Sequence, residues 1–372
     1  MHILMIPSWF QPLREGHTGI FVRDIALGLA QKGHIVRILS FNYGNEYLEI
    51  SQQGITEIFH PNIATSFLAK VFQPSKVTAL LSQYVQKYGL PDIINTHGIA
   101  AIRPVNRWAS KNKIPIIHHE HLIIYARSAF PIKLLVLAKL FYPRVKKIIA
   151  VSNYQSGTIV PLTSTPVVCI PPIIDEAFFK LSTEKLVDDG FHLVSVGDLD
   201  PIKGHSFIIE ALNLLKKRNI KFTFHLIGDG PLLSEIIQQC KKYQLTDSVI
   251  FHGKRSRKEI CTIFQKCQLY ISGSILESFG LHIAEALAGG LFVVTTDCKS
   301  VHDYIKWYSG TIVEKRSTKG FADAIENAMI QYKPADVKRI KESIYQFASA
   351  SKVIPATTTE FLSCLPQEKL HQ

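Results

Sequence analysis

Short runs of Val, Ile and Leu alternate with segments of helical period along most of the chain. In the first half, these runs predict strands at residues 2–7, 35–41, 92–97, 115–121, 147–152 and 167–171. Apolar strands separated by helices are typical of a parallel sheet that is covered on both faces. Residues 19–32 fit one covering helix, since their apolar period stops at Gly33, a residue that often follows a helix C-terminus.

The alternation stops at residues 171–175 (Pro-Pro-Ile-Ile-Asp) and in the polar stretch 182–190, and then it restarts. The second series predicts strands at residues 192–197, 222–228, 249–252, 269–272 and 292–296. A chain of 372 residues exceeds one ordinary hydrophobic core. We therefore predict an α/β protein with two doubly wound, Rossmann-like domains, at residues 1–175 and 176–353. Ligands bind beyond the carboxyl ends of such strands, so two facing sheets would line a central cleft.

The charge of the chain is unevenly distributed. The net charge is +12, and residues 1–170 hold 17 Lys and Arg against 7 Asp and Glu. This basic first half suits an anionic partner, such as a phosphorylated acceptor or an anionic membrane, although a solubilising surface has the same composition. No recognition motif accompanies the charge, so we expect no nucleic-acid partner.

Cysteine usage and hydropathy indicate the compartment. The six cysteines include no C-x-x-C pair, which predicts free thiols in a reducing compartment and neither disulfides nor a zinc site. No apolar run approaches the roughly 18 residues that span a bilayer. The first residues also lack the features of a signal peptide. We therefore expect a cytoplasmic protein with no metal ligands.

The segment with the most chemical content runs from Glu277 to Gly290, between a predicted strand and a predicted helix. It reads Glu-Ser-Phe-Gly-Leu-His-Ile-Ala-Glu-Ala-Leu-Ala-Gly-Gly, with Glu285 as its second carboxylate. Free N–H groups at the start of a helix bind phosphate, and a carboxylate accepts hydrogen bonds from adjacent sugar hydroxyls. One segment can thus hold a ribose, a diphosphate and a hexose. Two isolated glutamates would indicate only an exposed side chain and a helix cap.

This segment resembles the E-x7-E motif of the retaining glycosyltransferases of family 4, the group 1 glycosyltransferases of GT-B fold. The resemblance extends over nearly the whole chain. Residues 197–204 (Gly-Asp-Leu-Asp-Pro-Ile-Lys-Gly) are similar to the phosphate loop G-R-L-x-x-x-K-G, and residues 228–231 to a G-x-G-P turn. Residues 171–175 resemble the interdomain P-N-G-x-D. Residues 7–10 (Pro-Ser-Trp-Phe) and 19–24 resemble N-terminal motifs of one subgroup.

The resemblance implies a role for each matching residue of the donor site. Glu285 would hold the donor ribose, Glu277 would contact hydroxyls of the transferred hexose, and Lys203 would neutralise the diphosphate as a point charge. The remaining donor-binding residues would belong to the loops around the phosphates: Gly19, Gly197, Asp198, Phe279, Gly280 and Leu281.

His121, at the end of a predicted strand, looks like the active-site histidine that lies near the hexose in the family. His119 and Glu120 are adjacent alternatives. Any one of these histidines taken alone is more often an ordinary polar residue than a catalyst. The resemblance also implies that residues 1–175 bind the acceptor and residues 176–353 the nucleotide sugar. A C-terminal helix at about 354–365, within residues 354–372, would return to the first domain.

The chain departs from the family pattern at the phosphate loop. Asp198 stands where the family has an arginine, and an anion there repels a diphosphate. Lys203 remains, so stabilisation of the leaving group is weakened but not abolished, and Lys254 or Arg255 would compensate. Asp198 and Asp200 form a nominal D-x-D motif, but at the position of the arginine loop, so we expect no metal ion in the reaction.

Residues 127–147 interleave apolar and cationic side chains. Basic amphipathic helices at membrane interfaces have this composition, and so do helices that cover a sheet. The basic first half and the lipid-linked acceptors of the family favour peripheral attachment to the inner face of the cell membrane.

Together these features predict a retaining, metal-independent hexosyltransferase without a cofactor. Its donor would be a nucleoside-diphosphate sugar, and its acceptor a glycan or a lipid-linked glycan of surface polysaccharide biosynthesis. Asp198 leaves open a non-catalytic or degenerate nucleotide-sugar-binding protein of the same fold. A Rossmann oxidoreductase would need G-x-G-x-x-G after the first strand, and residues 7–10 cannot make that turn.

Overall fold

The computed structural model describes residues 1–8, 19–41, 46–61, 74–122, 132–184 and 190–369. The chain divides into two compact units: unit 1 is Met1–Ile173 with Ala350–Gln372, and unit 2 is Ile174–Ser349. Trp9 and Phe10 of the N-terminal motif, and residues 127–131 of the basic segment, lie outside the described residues. Over the described ranges, no helix has the length and apolar character needed to cross a membrane.

Unit 1 is built on a sheet of eight described strands. They are β1 (His2–Pro7), β2 (Ile35–Ser40), β3 (Leu48–Gln52), β4 (Ile55–Phe59), β5 (Ile93–His97), β6 (Ile116–Glu120), β7 (Lys147–Ala150) and β8 (Val167–Cys169). Their order is β3-β4-β2-β1-β5-β6-β7-β8, and only the β3–β4 hairpin is antiparallel. All six strands predicted for this half are present, with ends shifted by at most two residues. The hairpin was not predicted.

Helices cover both faces of this sheet. They are α1 (Ile20–Gln31), α2 (Pro74–Tyr88), α3 (Ile102–Lys111), α4 (Ile132–Phe141) and α5 (Asn153–Ile159). Side chains alternate along a strand, so Ile3 and Met5 face one side while Leu4 and Ile6 face the other. The first pair packs with α1 and the second pair with α2 and α3, in two separate cores. The sheet is therefore doubly wound.

Unit 2 contains six parallel strands in the order β11-β10-β9-β12-β13-β14. They are β9 (His192–Val196), β10 (Thr223–Ile227), β11 (Val249–Gly253), β12 (Leu269–Ser272), β13 (Phe292–Thr296) and β14 (Gly310–Val313). The helices are α6 (Glu176–Phe179), α7 (His205–Lys217), α8 (Leu233–Lys242), α9 (Arg257–Phe264), α10 (Leu281–Ala288), α11 (Thr318–Gln331) and α12 (Val337–Ala348). The sequence pattern predicted every strand except β14.

The C-terminal helix α13 (Ala350–Leu362) belongs to unit 1. It packs on α1 at Gly28, where an added Cβ would lie 2.4 Å from Cδ1 of Ile354. Phe361 is fully buried in the same core as α1, and Lys147 of β7 donates a hydrogen bond to Glu360. The end of the chain thus completes the core on one face of the sheet in unit 1.

Candidate functional site

The strand order of unit 2 reverses between β9 and β12, because β10 and β11 lie beyond β9 while β13 and β14 lie beyond β12. Loops that leave two such neighbouring strands in opposite directions open a crevice at their carboxyl ends, where ligands of open sheets bind. The loop after β9 carries Lys203 and the loop after β12 carries Glu277. The phosphate loop and the E-x7-E segment therefore meet at this reversal.

The loop after β9 presents Lys203 through a short turn. Asp200 forms this turn by accepting the amides of Ile202 at 2.9 Å and Lys203 at 3.2 Å. Leu199 is buried in the core, and Asp198 is exposed. The middle residue of the nominal D-x-D motif, Leu199, is thus a core side chain, and its last residue, Asp200, caps a turn. Within the described ranges, no three His, Cys, Asp or Glu side chains are grouped to hold a metal ion.

Two glycines let backbone segments approach closely around this loop. A Cβ on Gly228 would lie 1.9 Å from the carbonyl oxygen of Gly197, so the loops after β9 and β10 touch. Gly204 begins α7 with a left-handed φ of 68°, and a Cβ there would lie 2.1 Å from the carbonyl oxygen of Gly273. These contacts explain Gly204 of the G-x-x-x-x-x-K-G motif and Gly228 of the G-x-G-P motif in this chain.

Glu277 is the centre of a buried ionic cluster. Its Oε1 accepts hydrogen bonds from Nζ of Lys203 at 2.7 Å and from Nε2 of His282 at 3.0 Å. Burial by itself would raise the pKa of Glu277, but Lys203 and His282 hold it well below its usual range. Burial lowers the pKa of Lys203, yet Glu277 and two neighbouring aspartates raise it above its ordinary value. The pair is therefore a carboxylate and an ammonium at neutral pH.

His282 is a site residue that the sequence analysis missed. Its Nδ1 lies 2.6 Å from the hydroxyl of Tyr270 in β12, and its Nε2 lies 3.5 Å from Nζ of Lys203. The Tyr270 hydroxyl also contacts the backbone N–H and carbonyl of Val196. One signal was available in the sequence, because His282 is the only ionisable side chain between Glu277 and Glu285.

The start of α10 contains the backbone groups that we predicted to contact the donor. Gly280 adopts a left-handed φ of 81° immediately before the helix. The hydroxyl of Tyr304 donates to the carbonyl oxygens of Phe279 at 2.9 Å and Gly280 at 3.3 Å, which fixes the turn. The amide of Ile283 is the first in α10 to donate to a carbonyl of this turn, that of Gly280. The N–H of Leu281 precedes it and is one of the donors that the start of a helix leaves for a ligand.

Glu285 lies within α10 and is buried, and an arginine reaches it from α9. Nε of Arg257 lies 3.5 Å from Oε1 of Glu285, and Nη1 of Arg257 lies 3.2 Å from Oδ2 of Asp175. Asp175 in turn caps α6 by accepting the amide of Ala177 at 2.8 Å. Arg257 therefore connects the second carboxylate of the E-x7-E segment to the start of unit 2.

Lys254 and Arg255, which we predicted to compensate for Asp198, follow β11. Lys254 is exposed immediately after β11, and Arg255 pairs with Glu259 one helical turn away at 3.7 Å. Three residues after Lys254, Arg257 pairs with Glu285 of the E-x7-E segment.

In unit 1, the strand order reverses between β1 and β5, and the predicted residues lie at the carboxyl edge of the sheet. His121 follows β6, and its Nε2 lies 3.0 Å from Nδ1 of His97 at the end of β5. Its ring packs on Phe21 of α1 with centroids 4.1 Å apart. Gly19 begins α1 in a left-handed conformation with φ of 77°. The fold thus gathers His121 and the start of α1 at one edge.

The three candidates at the end of β6 have different surroundings. His119 and Glu120 are buried, whereas His121 is partly exposed. Glu120 accepts the amide of His121 and the hydroxyl of Tyr142, both at 2.9 Å, so it supports the backbone of His121. Burial and neighbouring histidines lower the pKa values of His97 and His121 well below their ordinary value, which keeps both rings neutral at pH 7.

Comparison with known proteins gives matches over both units. Residues 18–178 match the model of Glycosyltransferase Family 4, and residues 179–346 match that of the glycosyl transferases group 1. The uncharacterized glycosyltransferase YqgM of Bacillus subtilis is 24% identical over 305 residues, which cover 82% of this chain and 79% of YqgM. The GPI3 subunit of the phosphatidylinositol N-acetylglucosaminyltransferase of Saccharomyces cerevisiae is 19% identical over 361 residues, or 92% of this chain and 78% of that protein.

Solved structures agree with the architecture. The crystal structure of HepE from Anabaena in complex with UDP superimposes with a TM-score of 0.78 and 19% identity, covering 98% of this chain and all of HepE. Two parallel, helix-covered sheets, an E-x7-E segment at the strand reversal of unit 2 and adjoining family matches over residues 18–346 lead to one conclusion. The chain belongs to the group 1 glycosyltransferases and has the GT-B fold.

Proposed function

We propose that this glycosyltransferase is a retaining hexosyltransferase that uses a nucleoside-diphosphate sugar and acts on a glycan or lipid-linked acceptor in surface polysaccharide biosynthesis. The observation that carries the proposal is the ionic cluster of Glu277, Lys203 and His282 at the strand reversal of unit 2. A buried ammonium beside a helix N-terminus suits a diphosphate. A buried carboxylate next to it suits sugar hydroxyls.

In this proposal each group of unit 2 binds one part of the donor. Lys203 and the N–H groups at Gly280 and Leu281 neutralise the diphosphate, Glu277 accepts hydrogen bonds from the hexose, and Glu285 accepts them from the ribose. Breaking the anomeric C–O bond creates an oxocarbenium-like centre and releases a nucleoside diphosphate, and these fixed charges stabilise both. The acceptor hydroxyl attacks on the face that the leaving phosphate vacates and gives its proton to an oxygen of that phosphate, which retains the anomeric configuration.

Unit 1 supplies the remaining residues of the proposed mechanism. His121 is assigned to the neighbourhood of the hexose and Gly19 to that of the donor phosphate, as the family resemblance implies. A neutral imidazole can donate one hydrogen bond and accept another, which suits the contact with sugar hydroxyls. No metal ion has a role in these steps, and activity that requires added Mg²⁺ would contradict this assignment.

A thermal-shift screen against UDP-, GDP- and ADP-sugars tests the donor site. HepE has been crystallised with UDP and with UDP-glucose, so UDP-glucose is the first probe. A ligand at 100 times its Kd adds about 2.7 kcal/mol to the folded state, or about 5–11 °C for a domain of this size. We expect Glu285→Ala to lose the shift, whereas Glu314→Ala, which removes an exposed acid of the same unit, keeps it. No shift with any donor would overturn the proposal.

The second candidate is a nucleotide-sugar-binding protein without transferase activity. The observation that favours it is the exposed Asp198 at the position of the family arginine. Binding of a donor with no turnover over a broad panel of acceptors would support this candidate. Transfer to any acceptor, with the product configuration determined by NMR, would exclude it and would test retention in the same experiment.

We also propose that unit 1 attaches to anionic membranes through a surface around α4. Val136 and Leu140 of this helix are 49% and 46% exposed. Arg144 follows α4 in the chain, with its guanidinium 5.6 Å from the ring centroid of Phe141 at the end of that helix. Arg144 also lines a groove of about 870 Å³ together with two lysines, Lys113 and Lys146. Exposed apolar side chains on a helix that is followed by a groove with three cations suit an interface with anionic lipids.

Liposome flotation tests the membrane surface. We expect the protein to float with vesicles that contain anionic lipid and less with neutral ones. Replacing Val136 and Leu140 by glutamate should abolish flotation, whereas Ile330→Glu, at an apolar residue of unit 2 that is 76% exposed, should not. Sedimentation of the wild-type protein away from both kinds of vesicle would contradict the assignment.

A further inference from the structure

His282 is placed to exchange a proton inside the candidate donor site. Its Nε2 lies 3.0 Å from Oε1 of Glu277 and 3.5 Å from Nζ of Lys203, and its Nδ1 lies 2.6 Å from the hydroxyl of Tyr270. Glu277 is a carboxylate and can only accept, so Nε2 carries a hydrogen. In the neutral ring, Nδ1 is then an acceptor, and the Tyr270 hydroxyl donates to it.

The hydrogen bonds around Tyr270 also satisfy the charged form of His282. The carbonyl oxygen of Val196 lies 3.1 Å from the Tyr270 oxygen, and the N–H of Val196 lies 3.2 Å from it. When Nδ1 gains a proton, it donates to the Tyr270 oxygen, and the hydroxyl hydrogen turns to the Val196 carbonyl. No buried polar atom loses its partner in this exchange, so the usual penalty of an unsatisfied group does not arise.

The balance of charge around His282 changes when a diphosphate binds. The facing groups are Lys203 before α7, Glu277 after β12, Asp198 after β9 and His205 in α7. Burial, and then Lys203, lower the pKa of His282 from 6.5, while Glu277 and Asp198 raise it, and the sum is a neutral ring without ligand. A diphosphate on Lys203 adds negative charge that favours the imidazolium.

We propose that His282 is the second cation of the diphosphate site, becoming an imidazolium when the donor binds and supplying the positive charge that Asp198 does not. This inference rests on the proposed function, since it takes the diphosphate to bind at Lys203. One proton moves from solvent to Nδ1 of His282 as the donor binds, and it returns to solvent when the nucleotide leaves. His282 is neutral in the free protein, so the buried site does not hold two adjacent cations, Lys203 and His282, when no ligand is bound.

Isothermal titration calorimetry with the full chain measures this proton directly. The probe is UDP-glucose, or another donor that gives a shift in the thermal screen, because a diphosphate diester does not itself titrate between pH 6 and 9. Heats in Pipes and in Tris buffer at the same pH give the number of protons taken up, because the two buffers differ in ionisation enthalpy and neither is a phosphate. We expect an uptake approaching one proton, and a Kd that rises by up to about tenfold per pH unit where uptake is complete.

Variants identify the group that takes up the proton. His282→Gln should abolish uptake and make the Kd independent of pH at the weak, high-pH level of the wild type. His282→Lys should also abolish uptake but keep tight binding at high pH. His302→Gln is the matched control, because His302 is an exposed histidine of unit 2 that bonds Asp297, and it should behave as wild type.

The outcomes separate this inference from the proposed function. Donor binding without proton uptake, or uptake that persists in His282→Gln, overturns the role of His282 and leaves the donor site intact. Failure of the wild-type protein to bind any nucleotide sugar overturns both.

Discussion

Lys203→Met should reveal how strongly the folded state depends on the buried ion pair with Glu277. The methionine side chain keeps the length and the apolar stem of lysine and removes only the charge and the hydrogen bonds. Glu277 would remain as a buried carboxylate with His282 as its partner among the described contacts. Removing one member of a buried ion pair lowers the stability of the folded state more than removing both, because the remaining charge stays desolvated.

The structure allows an estimate of the magnitude. The side chains of Lys203 and Glu277 are 19% and 7% exposed, so solvent screens their interaction little. Removing one partner of such a buried pair costs about 3–5 kcal/mol. For a domain of 150–250 residues, 1 kcal/mol corresponds to about 2–4 °C, so we expect the melting temperature to fall by about 6–20 °C.

The effect should depend on pH in a defined direction. The pKa of Glu277 is lowered from 4.5 in the folded state, so its stabilisation is present above pH 4.5 and is lost as the pH falls. The pKa of Lys203 is raised from 10.5, so its stabilisation is present below pH 10.5 and is lost as the pH rises. The difference between wild type and variant should therefore be full near pH 7 and should shrink below about pH 4.5.

Thermal and urea unfolding of both proteins at pH 7.5 and pH 4 measure these quantities. Lys258→Met, at an exposed lysine of α9, is the matched control and should unfold within about 0.5 kcal/mol of wild type. A loss at pH 7.5 no larger than that of the control, or a loss that grows at pH 4, would refute the reasoning.

Two further substitutions test the packing that supports the two units. Gly204→Ala should cost more than Gly33→Ala, because both have a positive φ but only the first would place its Cβ 2.1 Å from a backbone oxygen, that of Gly273; equal melting temperatures would contradict this. Phe361→Ala should destabilise by about 3–5 kcal/mol, since the ring is fully buried, whereas truncation of the neighbouring Leu362, 38% exposed, should cost less. Urea unfolding followed by circular dichroism measures both comparisons.

Features with a strong local period were predicted well from the sequence. The apolar runs placed eleven strands, and β1, β12 and β13 have the predicted ends. The β3–β4 hairpin was missed because β3 (Leu48–Gln52) is largely exposed and polar, and its pairing with the antiparallel strand β4 leaves no local signal. β14 was missed because it reads Gly-Thr-Ile-Val, so only two consecutive apolar side chains mark it in the sequence.

The site was predicted only as far as its motifs reach. The E-x7-E segment and Lys203 identified the family, and the matches over residues 18–346 confirmed that identification. The contacts of His282 with Tyr270 and Lys203 could not be read from the sequence, since they join a helix start, a strand and a separate loop. The same holds for Arg257, which reaches Glu285 from a helix that begins 28 residues earlier in the chain.

The sequence by itself determined the two alternating α/β series, the interruption between them and the residues that stand at the ends of strands. These features depend on side-chain period and on glycine at particular turns, which are local properties. Only the tertiary structure decided which strand ends lie side by side. The strand order places β9 next to β12, and that adjacency brings Lys203 to Glu277 across 74 positions of sequence. Which ionisable groups share one buried cluster, and hence their charges, follows from that order and not from the spacing of residues along the chain.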